Sequence, residues 1–382
     1  MGKQVLTPRF YVDIPTFLHA TGQLDWDDNK GGAELLYMNC SNPVTFTPTD
    51  TTANTTMFKI GHSTNNQPKT SFPVNFCALL NHNLASDQHI PRLVATSDNG
   101  NQSLNKNETF LNNVINMPLA ITSPPYNGTS IWTCGSDSDG IEDYWTQFII
   151  QYKDTITDGT TTHDNYMHQL GSMVVGKYWD APNSPDLSLT MSRRFDGIKR
   201  QKTIDGKTLA NTYYDGPTEW IMNHHIDNTL NGTYKYPPFE LDTTKQVDTQ
   251  GYRIDYRAKS GLGRKGLRSW NLTFSYISES DMWMENEVSN TLTSDDVTPN
   301  DNIPNPMLSD DSFNFVWNCT LGGALPFIFQ PNAPKYDSDG VMTQGDNSPD
   351  QFSICTFRSN TLNVKQVASN VYNLSVTIDE VG

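Results

Sequence analysis

The stretch LRSWNLTFSYIS, Leu267–Ser278, alternates with a period of two. Trp270, Leu272, Phe274 and Tyr276 are separated by Asn271, Thr273 and Ser275. Successive side chains of an extended strand point to opposite faces, so this spacing buries one face and leaves the other wet. A helix would scatter the same four large residues around its axis. DLSLTMSRRF repeats the pattern, with Leu187, Leu189 and Met191 set against Ser188 and Thr190. Further strands are predicted at FPVNFCALL, IPRLVAT, IWTCG, DYWTQFIIQY, FNFVW, LPFIFQ, SICTFRS and VYNLSVTID, where β-branched and aromatic residues gather. Helical periodicity is weak, and helices are predicted only over Asp281–Ser289 and Pro15–Thr21.

Between these strands the chain is polar. Only 36% of the 382 residues are hydrophobic and 18% charged. Much of the remainder is Asn, Thr, Ser, Gly, Asp and Pro, which supply turns and compete with helix hydrogen bonds. Aromatic residues at 11% argue against disorder. The expected fold is mainly β: an antiparallel β-sandwich, jelly-roll or galectin-like, with long polar loops and little helix. Residues 1–70 are expected to form an N-terminal arm and first strands, 71–290 the main sandwich, and 291–382 a C-terminal β segment that can belong to the same sandwich. The segment NTLTSDDVTPNDNIPNPMLSDDS, rich in Pro, Asn and Asp, is expected to be an exposed loop.

The formal charge of −16 disfavours a nucleic-acid partner, because phosphate contacts need Lys and Arg. No apolar run is long enough to span a membrane, and no signal peptide is expected at the N-terminus. The five cysteines, Cys40, Cys77, Cys134, Cys319 and Cys355, are odd in number and never paired as CxxC. They are expected to be buried free thiols that behave as small hydrophobes.

Candidate chemistry is sparse. The apolar run Phe76–Leu80 ends at Asn81, His82 and Asn83. Asn tolerates left-handed backbone and caps turns, so this triplet is expected to be a strand exit, not a catalytic centre. His224 and His225 are adjacent and would point to opposite sides of a strand, which seldom serves one metal. GSDSDG and YDSDG resemble calcium loops, with Asp137 and Asp139 or Asp337 and Asp339 as ligands. The first lacks the bidentate Glu of a full EF-hand, having Thr146 there, so acidic turns are the simpler expectation and no cofactor is required. RAKSGLGRKGLRSW concentrates Arg257, Lys259, Arg264, Lys265 and Arg268 in a glycine-rich setting. In an acidic chain this cluster is expected to contact an acidic partner surface. Tyr178, Trp179 and Tyr213 are candidates for stacking on a sugar ring. No nucleophile motif or metal-protease motif is present, and no enzymatic activity is expected.

Several stretches together carry a resemblance. VNFCALLNHNLAS is similar to a segment of β-sandwich proteins of tailed bacteriophages, where a strand ends in an Asn-His-Asn-Leu turn. LGSMVVGKYWDAPNSPDLSLTMSRRFDGIKRQKTIDGKTL is similar to a later part, a strand, loop and strand leading to a hairpin. GRKGLRSWNLTFSYISESDMW resembles a further element, a glycine-arginine hairpin before an alternating strand. These pieces cover residues 74–94, 168–220 and 263–284, roughly a quarter of the chain. The resemblance implies a structural virion component of the tail or tail tip, assembled in the host cytoplasm, where free cysteines persist. It implies partners that are further copies of the chain and other virion proteins. A carbohydrate-binding adhesion module and a capsid decoration protein are the alternatives.

Overall fold

The computed structural model describes residues 5–22, 33–39, 74–82, 168–194, 198–212, 267–285, 306–336, 342–345 and 351–381, with short segments at 44–46, 55–61, 69–71, 92–96, 129–133, 147–152, 156–158, 161–163 and 302–304. The fold is mainly β and its main sheet is antiparallel. Eleven strands form that sheet: β1 Arg9–Asp13, β2 Val44–Phe46, β3 Phe76–His82, β4 Thr129–Thr133, β5 His168–Asp180, β6 Thr190–Arg194, β7 Leu267–Ser278, β8 Phe327–Gln330, β9 Ser353–Phe357, β10 Asn363–Ala368 and β11 Val371–Glu380. Their order is β6-β7-β11-β9-β8-β1-β5-β3-β4, with β2 also on β5 and β10 also on β11.

β1 divides this order. On one side lie β2, β3, β4 and β5, all from residues 44–180. On the other lie β6 to β11, all from residues 190–380. β1 pairs with β5 through Arg9↔Asp180 to Asp13↔Gly176, and with β8 through Arg9↔Gln330 to Tyr11↔Ile328. Gly176 makes the first ladder possible, since a Cβ there would collide with the Val12 carbonyl. The Arg9 guanidinium crosses the ladder to Asp180, with Nε–Oδ1 at 2.5 Å and a terminal nitrogen to Oδ2 at 2.7 Å, and lies 3.8 Å above the Tyr178 ring. A bidentate pair of this kind, with Arg9 buried and Asp180 about half exposed, fixes register as well as position.

The sheet is apolar on both faces where β1 lies. Phe10 and Val12 point to one face, and Tyr11 to the other with Phe76, Ala78, Leu80 and Val174. Burial on both sides explains why Phe76–Leu80 is a continuous apolar run and not an alternating one. Phe10 is fully buried among Phe329, Phe327, Trp179, Phe313 and Phe357, with ring centroids 5.1–6.3 Å away. Each such ring pair adds about 0.5–1.5 kcal/mol beyond the area it buries. Four short helices contribute to the core on the Phe10 face: α1 Ile14–Ala20, α2 Glu279–Met282, α3 Pro306–Ser309 and α4 Phe313–Cys319. Lys177 reaches from β5 to the end of α3, where its ammonium donates to the Ser309 and Asp310 carbonyls at 2.7 and 3.0 Å. A cation at a helix C-terminus satisfies carbonyls that have no helical partner.

Three local expectations change. FNFVW is helix α4, because Phe313, Val316 and Cys319 share a face that packs on the sheet and tertiary burial overrides strand propensity. α2 stops at Met282, shorter than the predicted helix. DLSLTMSRRF does not bury Leu187 and Met191: Leu187 is fully exposed, the strand begins only at Thr190, and all five of its residues are exposed. The proline-rich segment before residue 312 is also less external than expected, since Met307 and Leu308 are buried. Cys77, Cys319 and Cys355 are buried free thiols, and burial pushes the Cys319 and Cys355 thiols up; Cys40 and Cys134 lie outside the described residues. Among the described residues no helix is long and apolar enough to cross a membrane.

Asp13, at the junction of β1 and α1, is a buried carboxyl in this core. It is 3% exposed. The Thr16 hydroxyl donates to its Oδ2, the Val175 N–H approaches Oδ1 at 3.4 Å, and the Tyr37 N–H in turn donates to the Thr16 oxygen at 3.1 Å. Burial wins over these hydrogen bonds and pushes the carboxyl up to about 7. Below the ordinary carboxylate pKa the group is neutral in both states and its contribution to stability is complete. As pH rises towards 7 the unfolded chain ionises while the fold retains the proton, so stability falls by on the order of 4 kcal/mol. Urea unfolding of wild type and Asp13→Asn at pH 4.5 and pH 7.5 checks this. Wild type is expected to lose ground relative to the variant at the higher pH; a pH-independent difference would contradict it.

Candidate functional site

Among the described residues the sheet ends at β6, which pairs with β7 on one side only, from Thr190↔Asn271 to Arg194↔Leu267. An open edge presents unpaired N–H and C=O groups and is a template for another chain. Three residues further on, Ile198–Lys202 and Thr208–Thr212 form a separate hairpin. Its turn closes with the Thr203 N–H donating to the Lys207 carbonyl at 2.8 Å and Gly206 at φ +77°. Only a glycine takes that angle without strain. Ile204 at the tip is fully exposed, and Arg200, Lys202 and Lys207 are exposed beside it.

Residues 190–212 carry six Lys or Arg against two Asp, in a chain whose totals are 26 against 42. Arg193, Arg200, Lys202 and Lys207 form no ion pair among the described residues. Arg194 is different: it adds to the field that holds the Asp379 carboxyl below its ordinary range, chiefly through the hydrogen bond from Arg358. A cavity of about 190 Å³ lies beside β6, lined by Val5, Met191, Arg193, Arg268, Trp270 and Pro331. Its walls are mostly apolar with two guanidinium groups among them.

Of the residues expected to act together, the described ones take other roles. Arg268 is committed within its own chain. Its Nε and a terminal nitrogen donate to the two Glu380 oxygens at 3.0 and 2.9 Å, its backbone N–H donates to Oε2 at 2.8 Å, and the guanidinium also reaches the Phe352 carbonyl at 2.8 Å and the Ser353 hydroxyl. Both charged side chains are 12% exposed. Arg268 therefore joins β7 to β9 and β11 and is not an outward partner contact. Arg257, Lys259, Arg264 and Lys265 lie outside the described residues. Trp179 is 4% exposed, packed on Phe10 and Phe313, so it is core and not a sugar platform. Tyr178 is half-buried beneath Arg9, which removes that face of its ring from any ligand. Tyr213, His224, His225, Asp137, Asp139, Asp337 and Asp339 lie outside the described residues. His82 closes β3 with its backbone opposite Leu170. Among the described residues no group of His, Cys, Asp and Glu is arranged to hold a metal.

The basic edge and hairpin were legible as RRFDGIKRQKTIDGK, six cations in fifteen residues. Their weight is hidden by the alternation of Leu187, Leu189 and Met191, which points to a half-buried strand. No family model, no curated protein and no solved structure matches this chain.

Arg268→Ala is expected to lower stability by about 3–5 kcal/mol, because it leaves Glu380 buried without its counter-charge. Arg268→Met combined with Glu380→Leu should recover most of that loss. Denaturant titration of the three proteins checks this; a single variant within about 0.5 kcal/mol of wild type, the scale of an ordinary surface change, would contradict it.

Proposed function

We propose that this chain is a structural subunit of a tailed-bacteriophage virion, of the tail or tail tip, acting by association with copies of itself and with neighbouring virion proteins. The observation that carries self-association is strand β6, exposed along its length at the end of the sheet among the described residues, continued by an exposed basic hairpin. A monomeric protein normally blunts or covers such an edge. β6 is blunted only by charge, which repels a like edge and favours an acidic surface. The assignment to a virion is supported by the resemblance of residues 74–94, 168–220 and 263–284 to phage sandwich proteins. The role is one of binding and positioning, without catalysis.

The finer architecture we propose is a sandwich of jelly-roll or galectin-like type. Central strands that are apolar on both faces need cover on both. Thr55–Gly61, Gln147–Tyr152 and Arg92–Thr96 form a second antiparallel sheet in the same chain. Loops between strands then serve contacts with neighbours, as loops on rigid scaffolds commonly do.

Sedimentation velocity over a concentration series, followed by negative-stain electron microscopy, tests self-association. Closed rings or larger oligomers of uniform size are expected. A monomer at every concentration would remove this reading.

A further inference from the structure

We propose that Tyr276 is the knob of a head-to-tail contact between copies of this chain, and that the cavity beside β6 of the next copy is its socket. This rests on the self-association proposed above and names the surfaces that perform it.

Tyr276 is where the alternation of β7 fails. Trp270, Leu272 and Phe274 point inward as their spacing requires. The register with β11 then slips between Phe274 and Ile277, so that Ser275 and Tyr276 oppose the single residue Asn373, and Ile277 takes the next buried position. Tyr276 is thrown outward, 75% exposed, at φ +61°. Its N–H donates to the Asn373 side-chain oxygen at 3.1 Å, which holds the bulge in shape. A left-handed conformation costs an L residue about 1–2 kcal/mol, and a bulky aromatic has no local compensation of the kind Asn or Asp enjoy. A glycine would remove the strain and shed an exposed ring. Strain retained at a specific side chain marks a position where the side chain has work to do.

The socket fits that side chain. A cavity of about 150 Å³ is enough for benzene, so the cavity of about 190 Å³ beside β6 accepts a phenol ring. Val5, Met191, Trp270 and Pro331 offer apolar contact, and the exposed Arg193 suits the ring face and the hydroxyl, while Arg268 in the wall stays bound to Glu380. Knob and socket cannot meet within one copy. Trp270 and Tyr276 lie on the same strand, six positions and about 20 Å apart. A contact between two different patches is heterologous, and it generates a closed ring or a filament instead of a twofold dimer.

Charge reinforces the direction. Beyond the knob, Glu279 and Glu285 are exposed on and after α2; beside the socket stands exposed Arg193, with Arg200, Lys202 and Lys207 in the hairpin that follows. Opposite signs at the two poles of β7 favour head-to-tail contact and penalise the pairing of two identical edges.

Two variants test this. Tyr276→Gly removes the knob at an angle that suits glycine, so its melting temperature should equal or exceed that of wild type. Met191→Trp fills the socket from an exposed position and leaves the knob intact. By sedimentation velocity each variant alone should associate at least about tenfold more weakly than wild type, the scale of losing an interface anchor. Mixed in equal amounts they should form a discrete dimer and stop, because one good knob meets one good socket. Circular-dichroism melts confirm that both are folded. Assembly of Tyr276→Gly like wild type, or a mixture that stays monomeric, would overturn the knob and socket while self-association stands. A wild-type chain that is monomeric throughout would overturn both.

Discussion

The pairing of β1 with β5 and β8 is the interaction on which the rest of the molecule depends. β1 is five residues long, yet it joins the strands of residues 44–180 to those of residues 190–380. Its backbone is paired on both edges. Its side chains divide between the faces, Phe10 to the aromatic cluster and Tyr11 to the opposite core, where its hydroxyl donates to the Gln330 side-chain oxygen at 2.7 Å. Contacts between residues more than three hundred positions apart close very long loops. Their entropic cost rises only slowly with loop length, so the stability of the ladder is not lost to separation in sequence. The rate of forming it is another matter, since non-local pairing is slow. The N-terminal strand must wait for β8, which is made late.

The β6 end of the sheet contrasts with its centre. In β1 every residue is buried, and in β6 every residue is exposed. The adjacent Arg193 and Arg194, which would be intolerable in the core, sit at β6, where their charge opposes pairing with a like edge. The subunit role proposed above would use this division of labour. A rigid centre holds its contact surfaces at fixed spacing, and an unfinished edge leaves the final pairing to a neighbour. The two poles of β7, acidic near α2 and basic beside β6, give that edge a direction.

Much of this was legible in the sequence. A strong period-two pattern located β7, a continuous apolar run located β3, and clusters of β-branched and aromatic residues located β8 and β11. What failed did so for identifiable reasons. Alternation cannot reveal a bulge, so Tyr276 was placed with Trp270, Leu272 and Phe274 when Ile277 takes the inward position. Strand propensity in FNFVW gave way to the burial of one helical face on the aromatic cluster. Spacing also cannot tell an edge from an interior strand, which is why Leu187 and Met191 were expected inside. Arg268 stood among basic neighbours in sequence, and nothing local announces that Glu380, over a hundred residues away, neutralises it. The candidate site itself was only half legible. Its six cations were there to be counted, but the exposure that gives them a role is a property of the sheet.

Native-state hydrogen exchange across the chain tests the central place of β1 most directly. If β1 joins the two groups of strands, its amides exchange only through global unfolding, and so belong to the slowest class together with β5 and β8. Early exchange of Arg9–Asp13 while β7 and β11 stay protected would contradict this, because the sheet would then persist without the strand said to join it.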